Sequence, residues 1–202
     1  MSAPYIRDMN PNDLQDVTLI HHQAFPNFFM TLLGSPFLSR YYLTVLEYEK
    51  SISLVYVDAS GNTIGFAVGF LEPSNFYKFL REKIFQFLLP TLNGLVRKPY
   101  LLKNILAGFL RVNKSKSGNS AEGSCELSSI GVAKKGTGIG KVLLRRFVEL
   151  CFLKGAKNLM LTTDLHNNDS VIGFYKSEGF MQVGIDVRGN REMIQLMLRN
   201  PN

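Results

Sequence analysis

Cysteine is scarce in this chain, which carries only Cys125 and Cys151 among 202 residues. Two thiols, each inside an apolar run, fit neither a disulfide framework nor a zinc site, and they read as small buried hydrophobes with no metal centre expected. A long apolar run is also missing. The most apolar stretch, Ile84 to Val96, is interrupted by Gln86, Pro90, Thr91, Asn93 and Gly94, well short of the ~20 apolar residues a spanning helix needs. The start, Met1 to Asp8, lacks a basic segment followed by an apolar stretch and a cleavage site, so the expected location is cytoplasmic. Acidic residues are the minority charge, with Lys+Arg 23 against Asp+Glu 16 for a net charge of +7. That surplus favours anionic partners: cofactor phosphates, nucleotide-linked substrates, nucleic acid or a lipid headgroup surface. At 46% hydrophobic residues the chain suffices for one domain, over 1–202, that buries about 70% of its unfolded surface.

Periodicity places a short strand near Tyr5 to Met9, then a helix capped by Asn12 or Asp13, with Leu14, Val17, His21 and Ala24 at helical spacing and an end before Pro26. A loop from Pro26 to Pro36 precedes a second helix, Phe37 to Glu49. The β-rich runs Ile52 to Asp58 and Thr63 to Leu71 flank Ala59-Ser60-Gly61-Asn62 and read as a hairpin. From Ser124 the order is strand Cys125 to Val132, a Gly-rich turn, helix Lys141 to Lys154, strand Asn158 to Thr163, helix Asp169 to Glu178, and strands Phe180 to Val187 and Glu192 to Arg199 around Arg188-Gly189-Asn190-Arg191. Strands interleaved with helices imply one mixed sheet with helices on both faces.

Between these halves lies a different composition. Residues 76–116 hold nine lysines and arginines against one acid, Glu82. The basic side chains alternate with Phe79, Leu80, Ile84, Phe85 and Phe87, which suggests amphipathic helices broken at Pro90 and Pro99, followed by a flexible connection at Lys114 to Ser120.

The Gly-rich turn carries the most chemistry. Lys134-Lys135-Gly136-Thr137-Gly138-Ile139-Gly140-Lys141 stands where a strand becomes a helix. Several amides there lack intrahelical partners and point outward with the positive end of the helix dipole, which suits a pyrophosphate. Glycine leaves the phosphate oxygens room to reach those amides. A dinucleotide fingerprint from Gly136 would need glycine at Lys141, and a Walker loop ending at Gly140-Lys141 would need Ser or Thr at Val142. Neither spacing is met.

What remains, Lys135-Gly136-Thr137-Gly138-Ile139-Gly140, resembles the acyl-CoA loop of the GNAT acetyltransferases, Gln/Arg-x-x-Gly-x-Gly/Ala. Downstream, Asn168-Asp169-Ser170-Val171-Ile172-Gly173-Phe174-Tyr175-Lys176-Ser177-Glu178-Gly179-Phe180 is similar to the second GNAT signature, Asn-x-x-Ala-x-x-Phe-Tyr-x-x-x-Gly-Phe, with Val171 in place of the alanine. The two lie in the family's order, and the similarity covers Ser124 to about Arg199. Lys135 keeps the charge of the usual residue but not the planar fork of arginine, and the loop is about two residues shorter than is typical of the family. The resemblance implies an α/β (α+β) fold with a mixed, mostly antiparallel sheet of about seven strands. It also makes the basic segment, about 74–120, an insertion between the third and fourth strands.

The resemblance further implies acetyl-CoA as co-substrate. Its pantetheine arm would pair with Ile130, Gly131 and Val132, and its phosphates would rest on Lys135, Gly136, Thr137, Gly138, Ile139, Gly140 and Lys141. Asn168 would support the cofactor or the loop, although capping the following helix is an equal reading. Tyr175 would act as the acid toward the leaving sulfur and Glu126 as the base toward the amine. The bland alternatives are a packed helix aromatic for Tyr175 and a surface-facing strand residue for Glu126. His21, on the apolar stripe of the first helix, reads as a packed histidine.

The acceptor, a small amine, would meet the loop Phe25-Pro26-Asn27-Phe28-Phe29-Met30-Thr31-Leu32-Leu33-Gly34. With Ser35 to Tyr42 this segment is loosely similar to GNAT proteins of bacterial surface polysaccharide synthesis, whose acceptors are amino sugars. The insertion is open to several uses: contact with an anionic membrane face, grip on a nucleotide sugar, a homodimer arm, or a solvated cover. No groove-reading motif accompanies its charge, so nucleic acid is not an expected partner. The rival reading is a non-catalytic acyl-CoA-binding or membrane-surface protein on the same fold.

Overall fold

The computed structural model describes residues 3–91, 123–188 and 191–201. Its centre is a seven-stranded sheet in the order β1-β2-β3-β4-β5-β7-β6. The strands are β1 Tyr5–Asp8, β2 Ser51–Val57, β3 Thr63–Leu71, β4 Ser124–Val132, β5 Asn158–Asp164, β6 Met181–Arg188 and β7 Arg191–Arg199. All neighbours run antiparallel except β4 and β5. Helices α1 (Leu14–Ala24), α2 (Phe29–Leu32), α3 (Ser35–Leu46), α4 (Pro73–Glu82), α5 (Ile139–Leu153) and α6 (Asp169–Ser177) complete the set of labelled elements.

Strand alternation sorts the core into two layers. On one face Ile52, Leu54, Ala67, Cys125, Leu127, Leu159, Leu161, Ile194 and Leu196 pack under α5 and α6. On the other, Val55, Val57, Phe66, Val68 and Phe70 pack under α1, α3 and α4. Both cysteines are fully buried and free among these residues, as the apolar runs around them suggest. The β2–β3 hairpin is closed by Asp58, whose Oδ1 accepts from the amides of Ser60 and Asn62 at 2.9 Å each.

Several boundaries differ from the sequence expectation for local reasons. Asp13, one of the two expected caps, does precede the first helix, but its side chain makes no cap bond there. Asn10 forms a capping box around a 3-10 turn, Pro11–Asp13. The Asp13 carboxylate closes that box by accepting from the Asn10 amide at 2.9 Å, and the Arg7 guanidinium donates to both its oxygens at 2.6 and 2.7 Å. The stretch from Pro26 to Pro36 is not all loop: α2 lies within it, and α3 starts at Ser35 because proline is well placed in a first helical turn. That helix ends at Leu46, three residues before Glu49, and α5 starts at Ile139, ahead of Lys141.

In the basic segment α4 breaks at Lys83, where a 3-10 turn Ile84–Phe87 begins, and Pro90 falls inside helical residues 88–91. Pro90 therefore does not mark the break. Pro99, the connection at 114–120 and turn residues Gly189 and Asn190 lie outside the described residues. Among the described residues no helix is long and apolar enough to cross a membrane, and no cluster of three or more metal-ligating side chains occurs.

Candidate active site

The site begins as a gap in the sheet. β4 pairs with β5 only over Ser124–Glu126 against Asn158–Met160. Beyond that, β4 stays with β3 as far as Val132, and β5 stays with β7 as far as Asp164. The facing edges of β4 and β5 therefore lose each other after Glu126, and the backbone of Ile130, Gly131 and Val132 borders a wedge. An unpaired strand edge is a template for an extended ligand chain. At the inner end of the ladder, Gly131 admits the close approach of Phe66, whose ring would be 2.8 Å from a Cβ at that position.

The free edge leads into the Gly-rich turn. Gly136 and Gly138 hold φ of 78° and 80°, the left-handed region that glycine enters without a steric cost. Nothing stands within 4 Å of the space a Cβ would fill at either residue. Gly138 caps α5, its carbonyl accepting from Lys141 and Val142, while none of the amides of residues 136–140 donates to a backbone acceptor among the described residues. Open space, outward amides and a helix start are the properties a pyrophosphate cradle needs. Thr137 donates its hydroxyl to the Lys134 carbonyl at 3.0 Å, shaping the turn.

Lys135 is exposed on the turn. Lys141 is engaged elsewhere, because its ammonium lies 2.9 Å from Glu178. Arg145 also pairs with Glu178, at 2.7 Å, and hydrogen bonding first from Arg145 and then from Lys141 holds that carboxylate below its ordinary range. These two cations tie α5 to the end of α6, a role the sequence did not indicate for Lys141.

The second signature has a structural explanation in two parts. Asn168 precedes α6 without a side-chain cap; its amide nitrogen instead donates to Thr163 Oγ1 at 2.8 Å and to the Asp164 carbonyl at 2.9 Å. It thus pins the start of α6 to the end of β5 while standing at the N-cap position, where its carbonyl accepts from the amides of Val171 and Ile172. At the other end Gly179, with φ of 90°, lets the Phe180 amide reach the Tyr175 carbonyl at 3.1 Å and turns Phe180 into the core.

Tyr175 packs edge-on to Phe180 with ring centroids 5.6 Å apart. Burial pushes its phenol above the ordinary range, so the hydroxyl remains protonated at neutral pH. No hydrogen-bond partner for that hydroxyl occurs among the described residues.

Glu126 lies on the opposite face of the sheet. Its register partner is Phe70, in the layer under α1, α3 and α4, and the Tyr77 hydroxyl donates to its Oε1 at 2.7 Å. A β-bulge follows: Gly69 faces Leu127 and Val68 faces Ser129, which leaves Ser128 as the extra residue. The bulge turns two consecutive serines toward α3, where the consecutive tyrosines meet them. Tyr41 and Ser128 share a hydrogen bond of 2.7 Å, with Ser129 beside Tyr42. His21 Nδ1 lies 2.6 Å from the Tyr42 hydroxyl, and its buried Nε2 has no partner. Burial, helped by His22, lowers the His21 pKa to about 4, so it is a neutral packed ring, as its place on the apolar stripe suggests. The tyrosine–serine pairs were not visible in sequence, where only the adjacent doublets Tyr41-Tyr42 and Ser128-Ser129 hint at them.

At the mouth of the wedge the loop after α1 approaches the ends of β5 and β7. A cavity of about 260 Å³ is lined there by Ala24 to Phe28, Asp164 and Arg191. Arg191 donates to both oxygens of Asp164 at 2.6 Å, and its guanidinium carbon sits 4.5 Å from the centre of the Phe28 ring. Of the aromatic loop singled out in sequence, Phe25 to Phe28 line this cavity.

Comparison with known proteins follows this geometry. The model of the acetyltransferase (GNAT) family matches residues 71–180, more than half of the chain. No curated protein sequence matches. Among solved structures, an N-acetyltransferase from Staphylococcus aureus is similar over 98% of this chain and 99% of its own, at 17% identity and a TM-score of 0.62. The ribosomal-protein-S18-alanine N-acetyltransferase from Escherichia coli is similar over 97% and 93%, at 14% identity and a TM-score of 0.60. An acetyltransferase from Thermus thermophilus is similar over 98% of each chain, at 14% identity and a TM-score of 0.59. At these identities the likeness is one of fold.

Proposed function

Because this chain belongs to the acetyltransferase (GNAT) family, we propose that it moves the acetyl group of acetyl-CoA to the amine of a small acceptor. The observation that carries the reading is the continuity of the open β4 edge with a turn at the start of α5 whose amides have no backbone acceptor among the described residues. A single extended ligand with a peptide-like arm and a pyrophosphate fits both features, and acetyl-CoA is such a ligand. Ile130 to Val132 would hold the arm, and residues 136–140 the phosphates, with Lys135 adding charge from the turn. The bound thioester would supply an activated acyl carbon.

The placement of acid and base supports transfer across the wedge. Glu126 faces one side of the sheet and Tyr175 packs on the other, so an amine entering past α1 and α3 would meet a carboxylate while the departing sulfur meets a phenol. Glu126 takes the proton from the attacking nitrogen at a carboxylate oxygen. Tyr175 donates its hydroxyl proton to the leaving sulfur, consistent with burial keeping the phenol protonated. The cavity beside Phe25, Phe28, Asp164 and Arg191 is the proposed acceptor mouth. Its aromatic walls and polar pair suit a polar ring bearing an amine, which favours an amino sugar.

Calorimetric titration with acetyl-CoA tests the cofactor half. Micromolar binding that disappears in Gly138→Glu supports it, and no binding to the wild type rejects it. Release of free thiol from acetyl-CoA on adding an amine then separates an enzyme from a protein that only binds the cofactor.

A further inference from the structure

We propose that Tyr77 is a positioning residue for Glu126, so that the segment inserted between β3 and β4 takes part in the reaction chemistry. The inference rests on the proposed role of Glu126 as the base.

β3 ends at Leu71, and Glu72 turns the chain in a left-handed conformation with φ of 53°. Its amide donates to the Ser124 carbonyl at 2.9 Å, which pins the start of α4 to the first residue of β4. The Glu72 carboxylate is held in turn by Lys50 at 2.5 Å and by Asn75 at 2.6 Å. Phe76 is fully buried and stacks on Phe70 at 3.7 Å between centroids. Phe70 is the register partner of Glu126.

With Phe76 locked on β3, the next residue on the helix projects about 100° around the axis, toward β4. Tyr77 packs edge-on to Phe70 at 5.7 Å and reaches Glu126 Oε1 at 2.7 Å. A hydroxyl donated to a carboxylate favours the ionised form and restricts the rotamers of a long side chain. Both effects serve a base that must be ionised and aimed before the amine arrives.

Other titratable groups stand near Glu126. From α3 comes Tyr41, bound to Ser128 and pushed above the ordinary tyrosine range by burial. From α4 comes Tyr77 itself. Cys125, next along the strand on the other face, is pushed upward by its bond to Cys151 and by burial.

The test uses the whole chain and the variants Tyr77→Phe, which keeps the ring contacts, and Glu126→Gln, which identifies the resonance. The Glu126 carboxyl carbon is followed by NMR against pH in protein labelled at glutamate. Separately, thiol release from acetyl-CoA is measured with a panel of amino sugars, polyamines and amino-acid amides. The hydroxyl lowers the Glu126 pKa, so its removal should raise that pKa by about one unit and move the acidic limb of the rate profile upward by the same amount. An unchanged titration in Tyr77→Phe, with Glu126→Gln inactive, overturns the role of Tyr77 and leaves the base assignment standing. Wild-type thiol release in Glu126→Gln, or none in the wild type with any amine, overturns the base assignment and this inference together.

Discussion

Gly69 and Glu126 meet backbone to backbone so closely that a Cβ on Gly69 would stand 2.0 Å from the Glu126 carbonyl oxygen and 2.6 Å from the Phe147 ring. Both obstacles belong to packed, hydrogen-bonded structure that cannot swing aside. Gly69→Ala is therefore expected to destabilise the fold by about 3 kcal/mol, through displacement of β4 at its bulge. Chemical denaturation measures this, and a loss under about 1 kcal/mol would show that the ladder relaxes there.

Tyr175 separates packing from chemistry. Its ring is buried against Phe180, but its hydroxyl has no hydrogen-bond partner among the described residues. Tyr175→Phe should leave the unfolding midpoint and acetyl-CoA affinity nearly unchanged while lowering kcat about 100-fold, the usual scale of general acid assistance. Equal rates for the two proteins would remove Tyr175 from the mechanism.

Asp13 answers a different question, why β1 and the first helix hold together. Its carboxylate is nearly buried, accepts a two-pronged bond from Arg7, and is met by the Thr63 hydroxyl at 3.0 Å. Burial alone would raise its pKa, yet the bonds from Arg7, the Asn10 amide and Thr63 prevail and lower it. Asp13→Asn leaves Arg7 without its partner and should cost about 2–4 kcal/mol in urea unfolding. A loss indistinguishable from zero would mean that solvent at Arg7 replaces the pair.

His21 predicts a pH dependence of stability. Its folded pKa is depressed to about 4 from 6.5, so the unfolded chain takes up a proton in that interval while the folded chain does not. Stability from this site is full above about pH 6.5 and is lost as pH falls toward 4, by about 3 kcal/mol in all. His21→Gln should flatten the unfolding free energy over that window relative to the wild type. An equal slope in both proteins would assign the acid sensitivity to other groups.

How much of this was legible beforehand depended on the distance over which each feature is encoded. The Gly-rich turn was readable because its parts are contiguous: glycines, a strand before and a helix after lie within a few residues. The signature around Tyr175 was readable for the same reason, since Gly179 and Phe180 act on a helix they directly follow. Even there Asn168 was read only in part, because its partners Thr163 and Asp164 belong to the preceding strand. Asp13 was placed correctly before the first helix, but its bond to Arg7 on β1 is one that local spacing does not display.

The sequence by itself determined the chain order of seven strands with their interleaved helices and the Gly-rich turn, which follow from local periodicity and backbone freedom, while the two signatures carried the family resemblance. Tertiary structure alone decided that β4 and β5 part after Glu126, that the bulge aims Ser128 and Ser129 at Tyr41 and Tyr42, and that Tyr77 reaches Glu126. Those outcomes depend on strand register, in which a shift of one residue sends every side chain to the other face. Register is set jointly by both layers of the core, and no window of neighbouring residues contains it.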